Sequence, residues 1–174
     1  MIFVTVGTQL PFDRLVAAVD EWAAAGEDRE VFAQIGPSSL RPRHIAYEQF
    51  IAPAECSERM RAASAIVAHA GMGTILTALE LGKPLLVMPR RAALGEHRND
   101  HQLATVRRFS ELGNVKAAFD EHELPGQLDE LDRGAGQPCI SRDAPDEMLD
   151  ALRAFIAGRP LLGAGTGASP LVHR

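Results

Sequence analysis

Short apolar runs alternate with amphipathic stretches along this chain. Runs at Ile2–Val6, Val31–Ile35, Ala46–Ile51, Ala65–Ala68, Leu85–Met88 and Val115–Phe119 are each bounded by glycine, proline or charge and read as strands. Helical patterns fill the gaps at Phe12–Ala25, Ala54–Ala62, Thr74–Leu81, Asn99–Leu112 and Glu121–Leu131, with a last one at Pro145–Ala157. In the first, Phe12, Leu15, Val16, Val19 and Trp22 recur at helical spacing, one stripe for a core. Strands alternating with helices imply parallel pairing through right-handed crossovers. The expected fold is therefore α/β, a Rossmann-like doubly wound parallel sheet with ligands outside the carboxyl ends of its strands.

Three segments follow strands at that edge and carry candidate chemistry. Gly7-Thr8 follows the first strand, where glycine permits a tight turn and Thr8 offers a hydroxyl and an amide to an oxyanion. His69-Ala-Gly71-Met72-Gly73-Thr74 follows the fourth and opens a helix, which places His69 and unpaired N–H groups at the positive end of a helix dipole. Two glycines after His69 predict close approach by something bulky, such as a diphosphate. Gly71-Met-Gly73 resembles the start of a dinucleotide fingerprint, but Leu76 stands where the third glycine belongs, which disfavours a nicotinamide enzyme.

The third segment, Pro89 to Gln102, follows the fifth strand and leads to a helix that Asn99 or Asp100 could cap. Asp100, His101 and Gln102 supply donors and acceptors suited to sugar hydroxyls, and Arg90 or Arg91 could neutralise a phosphate. His97 and His101 at i, i+4 suggest a metal pair, but no third ligand accompanies them, and no metal is expected.

Composition narrows the classes. With 174 residues, 46% of them hydrophobic, the chain suits one domain, and no apolar run approaches the roughly 20 residues that cross a bilayer. A net charge of −5 argues against general nucleic-acid binding. Met1 opens directly on a strand-like run without a signal-like segment, so the expected compartment is the cytoplasm. Cys56 and Cys139 lack metal-site or redox spacing and are expected as free thiols.

Several motifs stand in a fixed order: Val4-Thr-Val-Gly-Thr8, Phe12-Asp-Arg-Leu15, Gln34-Ile-Gly36, Ala68-His-Ala-Gly-Met-Gly-Thr-Ile-Leu76, Ala78-Leu-Glu-Leu-Gly-Lys-Pro84, Pro89-Arg-Arg91, Gly95-Glu-His97 and Asp100-His-Gln102. Together they resemble the family 28 glycosyltransferase C-terminal domain, and within it the small, separately encoded donor-binding subunits. The resemblance runs from Met1 to about Phe119. It implies a single GT-B C-terminal half-domain. The substrate would be a UDP-sugar, with no cofactor. The partner would be a membrane-anchored acceptor-domain subunit, which recruits this chain to the inner face of the membrane. Transfer would be to a polyprenyl-linked lipid in polysaccharide biosynthesis.

By the same resemblance, Gly7, Thr8, His69, Gly71, Met72, Gly73 and Thr74 surround the diphosphate, with His69 stabilising the leaving group. Asp100, His101 and Gln102 hold the sugar. The catalytic base stays unassigned. The family usually carries a ribose-binding glutamate where this chain has Thr77, a single hydroxyl in place of a bidentate acceptor. That departure keeps a second reading open, a non-catalytic interaction protein with weakened nucleotide-sugar binding. A sugar-nucleotide epimerase shares the architecture but needs both halves in one chain. The domain is expected over residues 1–158, and the glycine-rich stretch 159–174 reads as a flexible tail rather than a phosphate loop.

Overall fold

The computed structural model describes residues 1–26, 28–111 and 115–132, together with Asp150, Arg153 and Ile156. The chain divides into two compact units, Met1–Ile140 and Ser141–Arg174. In the first, strands β1 (Ile2–Thr5), β2 (Val31–Gln34), β3 (Ala46–Glu48), β4 (Ala65–His69), β5 (Leu85–Met88) and β6 (Lys116–Ala117) form one sheet. Its order is β3-β2-β1-β4-β5-β6, and every pairing is parallel. Helices α1 (Asp13–Ala24), α2 (Pro53–Ala62), α3 (Met72–Glu80), α4 (His101–Glu111) and α5 (Leu124–Asp132) connect or follow the strands. In the second unit Asp150, Arg153 and Ile156 are helical, within the last expected helix. The rest of that helix, the expected boundary at residue 158, the tail and Cys139 lie outside the described residues, whereas Cys56 is free.

Alternation along the central strands explains the two-faced core. Val4, Val67, Leu86 and Met88 point to one side, where they meet the α1 stripe of Leu15, Val16, Val19 and Trp22 and Leu124 and Leu128 of α5. Phe3, Ile66, Ala68, Leu85 and Val87 point to the other, against Met60 of α2, Ile75 and Leu79 of α3 and Val106 of α4. Both faces are covered, which is why these strands are continuous apolar runs.

Some boundaries differ from the sequence expectation. The edge strands are shorter: β3 stops at Glu48, where its ladder with β2 ends, and β6 keeps two residues. Helix α3 starts at Met72 rather than Thr74, so the second glycine lies inside the first turn. A 3-10 turn, Ala92–Leu94, occupies a segment read as loop.

The site between β1 and β4

The strand order reverses between β1 and β4, whose chain connections leave in opposite directions and open a crevice at their carboxyl ends. The crevice holds a cleft of about 340 Å³. Gly7 forms one wall, with a left-handed φ of 78° that favours glycine. Its carbonyl accepts Nε2 of the buried Gln34 at 3.0 Å, and the same amide nitrogen donates to the Gln49 carbonyl at 2.9 Å. Gln34 thereby clips the turn after β1 to the ends of its neighbours.

The His69 imidazole fills the space between two glycines. A Cβ on Gly7 would stand 2.9 Å from its Cε1, and one on Gly71 only 2.3 Å from its Nε2. The bulky group that approaches Gly7 and Gly71 is thus the His69 ring of the same chain. Gly73 is different: nothing lies within 4 Å of the Cβ it lacks. The open approach is therefore at Gly73.

Helix α3 has Gly71 as its N-cap, with no side chain capping it. The Gly71 N–H donates to the His69 carbonyl at 2.8 Å, and the first intrahelical bond runs from the Ile75 N–H to the Gly71 carbonyl at 3.0 Å. The N–H groups of Met72, Gly73 and Thr74 precede that bond and have no helical acceptor. They are the orphan donors at the positive end of the helix.

The opposite wall comes from the segment between β5 and α4, latched by two arginines. The buried Arg90 donates from Nη2 to the carbonyls of Val6 at 2.7 Å and Leu10 at 2.8 Å, and from Nη1 to that of Pro11. Its guanidinium lies 4.7 Å above the Phe12 ring. Arg14 of α1 reaches back across the same gap and grips Glu96 bidentately at 2.8 Å through Nε and Nη2. The Glu96 carboxylate also accepts the Arg91 N–H at 2.8 Å. Gln102, 3% exposed, accepts the Arg90 N–H on Oε1 at 3.1 Å.

A profile of the glycosyltransferase family 28 C-terminal domain matches residues 1–147. The chain belongs to this family. The human UDP-N-acetylglucosamine transferase subunit ALG13 is 30% identical over 125 residues, which cover 66% of this chain and 10% of that protein. The Eremothecium gossypii subunit of the same name is 43% identical over 67 residues, 38% of this chain and 31% of that one. The chain thus spans about a tenth of the length of the human relative. Solved structures share its fold, two of which follow. The NMR solution structure of ALG13 superposes with a TM-score of 0.56 at 21% identity, covering 87% of this chain and 93% of that one. The glycotransferase of kitacinnamycin gives 0.57 at 21%, covering 75% of this chain and 34% of the other. The sheet is accordingly the Rossmann-like half found in GT-B enzymes.

This family 28 domain brings most of the residues singled out in its sequence to one cleft. Gly7, Thr8, His69, Gly71, Gly73, Thr74, His101 and Gln102 all line it, as do Arg90 and His97. Three are not brought there as lining. Met72 is exposed at the start of α3. Thr77 donates its hydroxyl to the Gly73 carbonyl at 2.8 Å, a bond within its own helix. Asp100 accepts the Ala92 N–H at 2.8 Å. Arg91 is tied to the Phe119 carbonyl at 2.8 Å rather than to the cleft. The latch of Arg14 and Glu96 was missed in the sequence, although both residues stand inside quoted motifs. Among the described residues no group of three or more His, Cys, Asp or Glu side chains is placed to hold a metal ion.

Electrostatically the family 28 cleft is cationic within an acidic chain. The rings of His97 and His101 meet edge to face at 4.6 Å, and Nδ1 of both His69 and His97 is buried without a hydrogen-bond partner. Burial, and then the positive charge of Arg90, hold the His69 imidazole down at about 4, against an ordinary 6.5; a backbone interaction with Thr5 opposes this and His97 adds to it. His69 is therefore neutral at pH 7, one donor and one acceptor. Between about pH 6.5 and pH 4 the unfolded chain binds a proton at this residue that the folded chain refuses, so stability falls as pH falls through that window. Urea melts at pH 7 and pH 4.5 should show a loss that His69→Gln reduces by up to about 3 kcal/mol.

Proposed function

We propose that this chain is the donor-binding subunit of a two-component glycosyltransferase. It holds a UDP-sugar in the cleft for transfer to a polyprenyl-linked lipid acceptor in polysaccharide biosynthesis. The observation that carries this reading is the row of orphan N–H groups at Met72, Gly73 and Thr74, facing the open approach at Gly73. As the bond between the sugar and the β-phosphate breaks, negative charge grows on the leaving diphosphate. Fixed amide dipoles stabilise it without reorganising, and the His69 N–H adds a donor beside them. The phosphate charge also opposes the burial and the repulsion from Arg90 that together keep His69 unprotonated, so binding favours its protonation.

The acceptor site and the base belong, on this reading, to a partner subunit anchored in the membrane, with this chain on its cytoplasmic side. Among the described residues no helix is long and apolar enough to cross a membrane. Incubating the chain with radiolabelled UDP-sugars and membranes from its own cells should move label into the lipid fraction, and His69→Ala should abolish the transfer. Label that moves equally well with the variant would contradict the reading.

One observation favours a second reading, a non-catalytic interaction protein with weak nucleotide-sugar affinity. The Thr77 hydroxyl is committed to the Gly73 carbonyl, where the family's glutamate would face the ribose. Thr77→Glu should tighten UDP binding by about tenfold, since hydrogen bonds to a charged group contribute roughly 1.5–3 kcal/mol. Isothermal titration measures this, and an unchanged affinity would mean that no ribose contact forms at residue 77.

A further inference from the structure

Among the described residues, those lining the cleft include three histidines, Arg90 and Gln102, and no aspartate or glutamate. This is not for want of acids nearby. Glu96 and Asp100 stand in the same segment as His97, His101 and Gln102, but both carboxylates are turned elsewhere. Glu96 is spent on Arg14 and the Arg91 N–H, and its side chain is only 11% exposed. Asp100 is bonded to the Ala92 N–H. On the facing helix, the position that would carry a carboxylate in the family is Thr77.

What remains is lined by imidazoles and amides, Gln9 among them, whose N–H groups can donate; Nδ1 of His101 is paired with the Asn99 side-chain oxygen, which leaves Nε2 as its free nitrogen. His97 keeps a buried, unpartnered Nδ1, its ring fixed edge to face against His101 at 4.6 Å. Gln102 gives its Oε1 to the Arg90 N–H, which turns its amide nitrogen into the free end, and among the described residues no hydrogen bond uses that nitrogen. An uncharged hexose presents hydroxyl protons that call for strong acceptors, most often a bidentate carboxylate. Among the described residues no carboxylate lines this space. A sugar that carries its own carboxylate reverses the demand, because it needs N–H donors and forms charge-assisted bonds with them.

We propose that the donor is a nucleoside diphosphate hexuronate, whose C6 carboxylate is received by His97, His101 and the Gln102 amide while the diphosphate lies at the start of α3. This rests on the donor-binding reading above. Glu96 and Arg14 act here as positioning residues, holding the negative charge of the segment out of the subsite.

Isothermal titration of the full chain with UDP, UDP-glucose, UDP-N-acetylglucosamine and UDP-glucuronate tests it. UDP-glucuronate should bind at least about tenfold tighter than either uncharged sugar nucleotide. In His97→Leu/His101→Leu, which removes both side-chain donors, that ratio should shrink to within about twofold, each protein serving as its own reference. Uncharged sugars bound as tightly as the uronate, or a preference that survives the double substitution, would overturn the proposal and leave the donor-binding reading standing. Failure to bind UDP or any UDP-sugar would overturn both.

Discussion

Replacing Arg90 with methionine should lower the stability of the chain by about 3–5 kcal/mol, because several backbone carbonyls lose a charged donor together and each buried polar group left unsatisfied costs about 1–3 kcal/mol. Arg90 is 3% exposed, and its guanidinium donates to the carbonyls of Val6, Leu10 and Pro11. Methionine fills much of the volume and keeps contact with Phe12, so the loss isolates hydrogen bonding and charge from packing. Arg90→Lys should recover only part, because an ammonium is a point charge and cannot fork across three carbonyls. Urea denaturation followed by circular dichroism measures both. A loss below about 1 kcal/mol for the methionine variant would contradict this role, since that is the scale of a single ordinary hydrogen bond. Nucleotide affinity should fall with it, because Arg90 ties the turn after β1 to the segment that bears His97 and Gln102.

Gly71→Ala should separate the histidine from its cleft. The new methyl would stand 2.3 Å from His69 Nε2, so the ring must leave its slot between the two glycines. Overpacking of this kind costs about 1–3 kcal/mol. The affinity loss should be larger, about a hundredfold or more for UDP, since both the donor and the shape of the diphosphate site go. The double variant His69→Ala/Gly71→Ala should be more stable than Gly71→Ala alone without regaining affinity, a coupling that a mutant cycle reads directly. Gly73→Ala provides the contrast. Nothing lies within 4 Å of its added Cβ, and alanine favours a helix over glycine by roughly 1 kcal/mol. Its stability should hold or rise while UDP binding weakens, because the methyl occupies the approach to the amides.

The two glycines show how far the sequence could be read. A glycine signals that something comes close, but not what. At Gly71 the neighbour is His69, and at Gly73 it is open space, a distinction that only the geometry makes. The sheet was legible for a different reason: the central strands are buried on both faces, so each is an uninterrupted apolar run, whereas β3, exposed at its edge, was read too long. The start of α3 was misplaced because its first turn contains Gly73, and helix propensity there is overruled by the packing of Ile75 and Leu79. The latch was illegible in local terms. Arg14 and Glu96 are 82 residues apart, and nothing in the spacing of either announces the other. The same holds for Asp100, whose neighbours His101 and Gln102 reach the cleft while its own carboxylate closes the turn at Ala92.

In a chain that binds a UDP-sugar as proposed, the amides opening α3 receive the diphosphate. Titration of isotopically labelled protein with UDP, followed by amide chemical shifts, tests it most directly. Saturable shifts are expected at Gly73 and Thr74, with companion changes at Gly7 and in the His69 imidazole, all weakened by Gly73→Ala. No saturable shift at millimolar UDP, or shifts confined to residues away from the cleft, would contradict it.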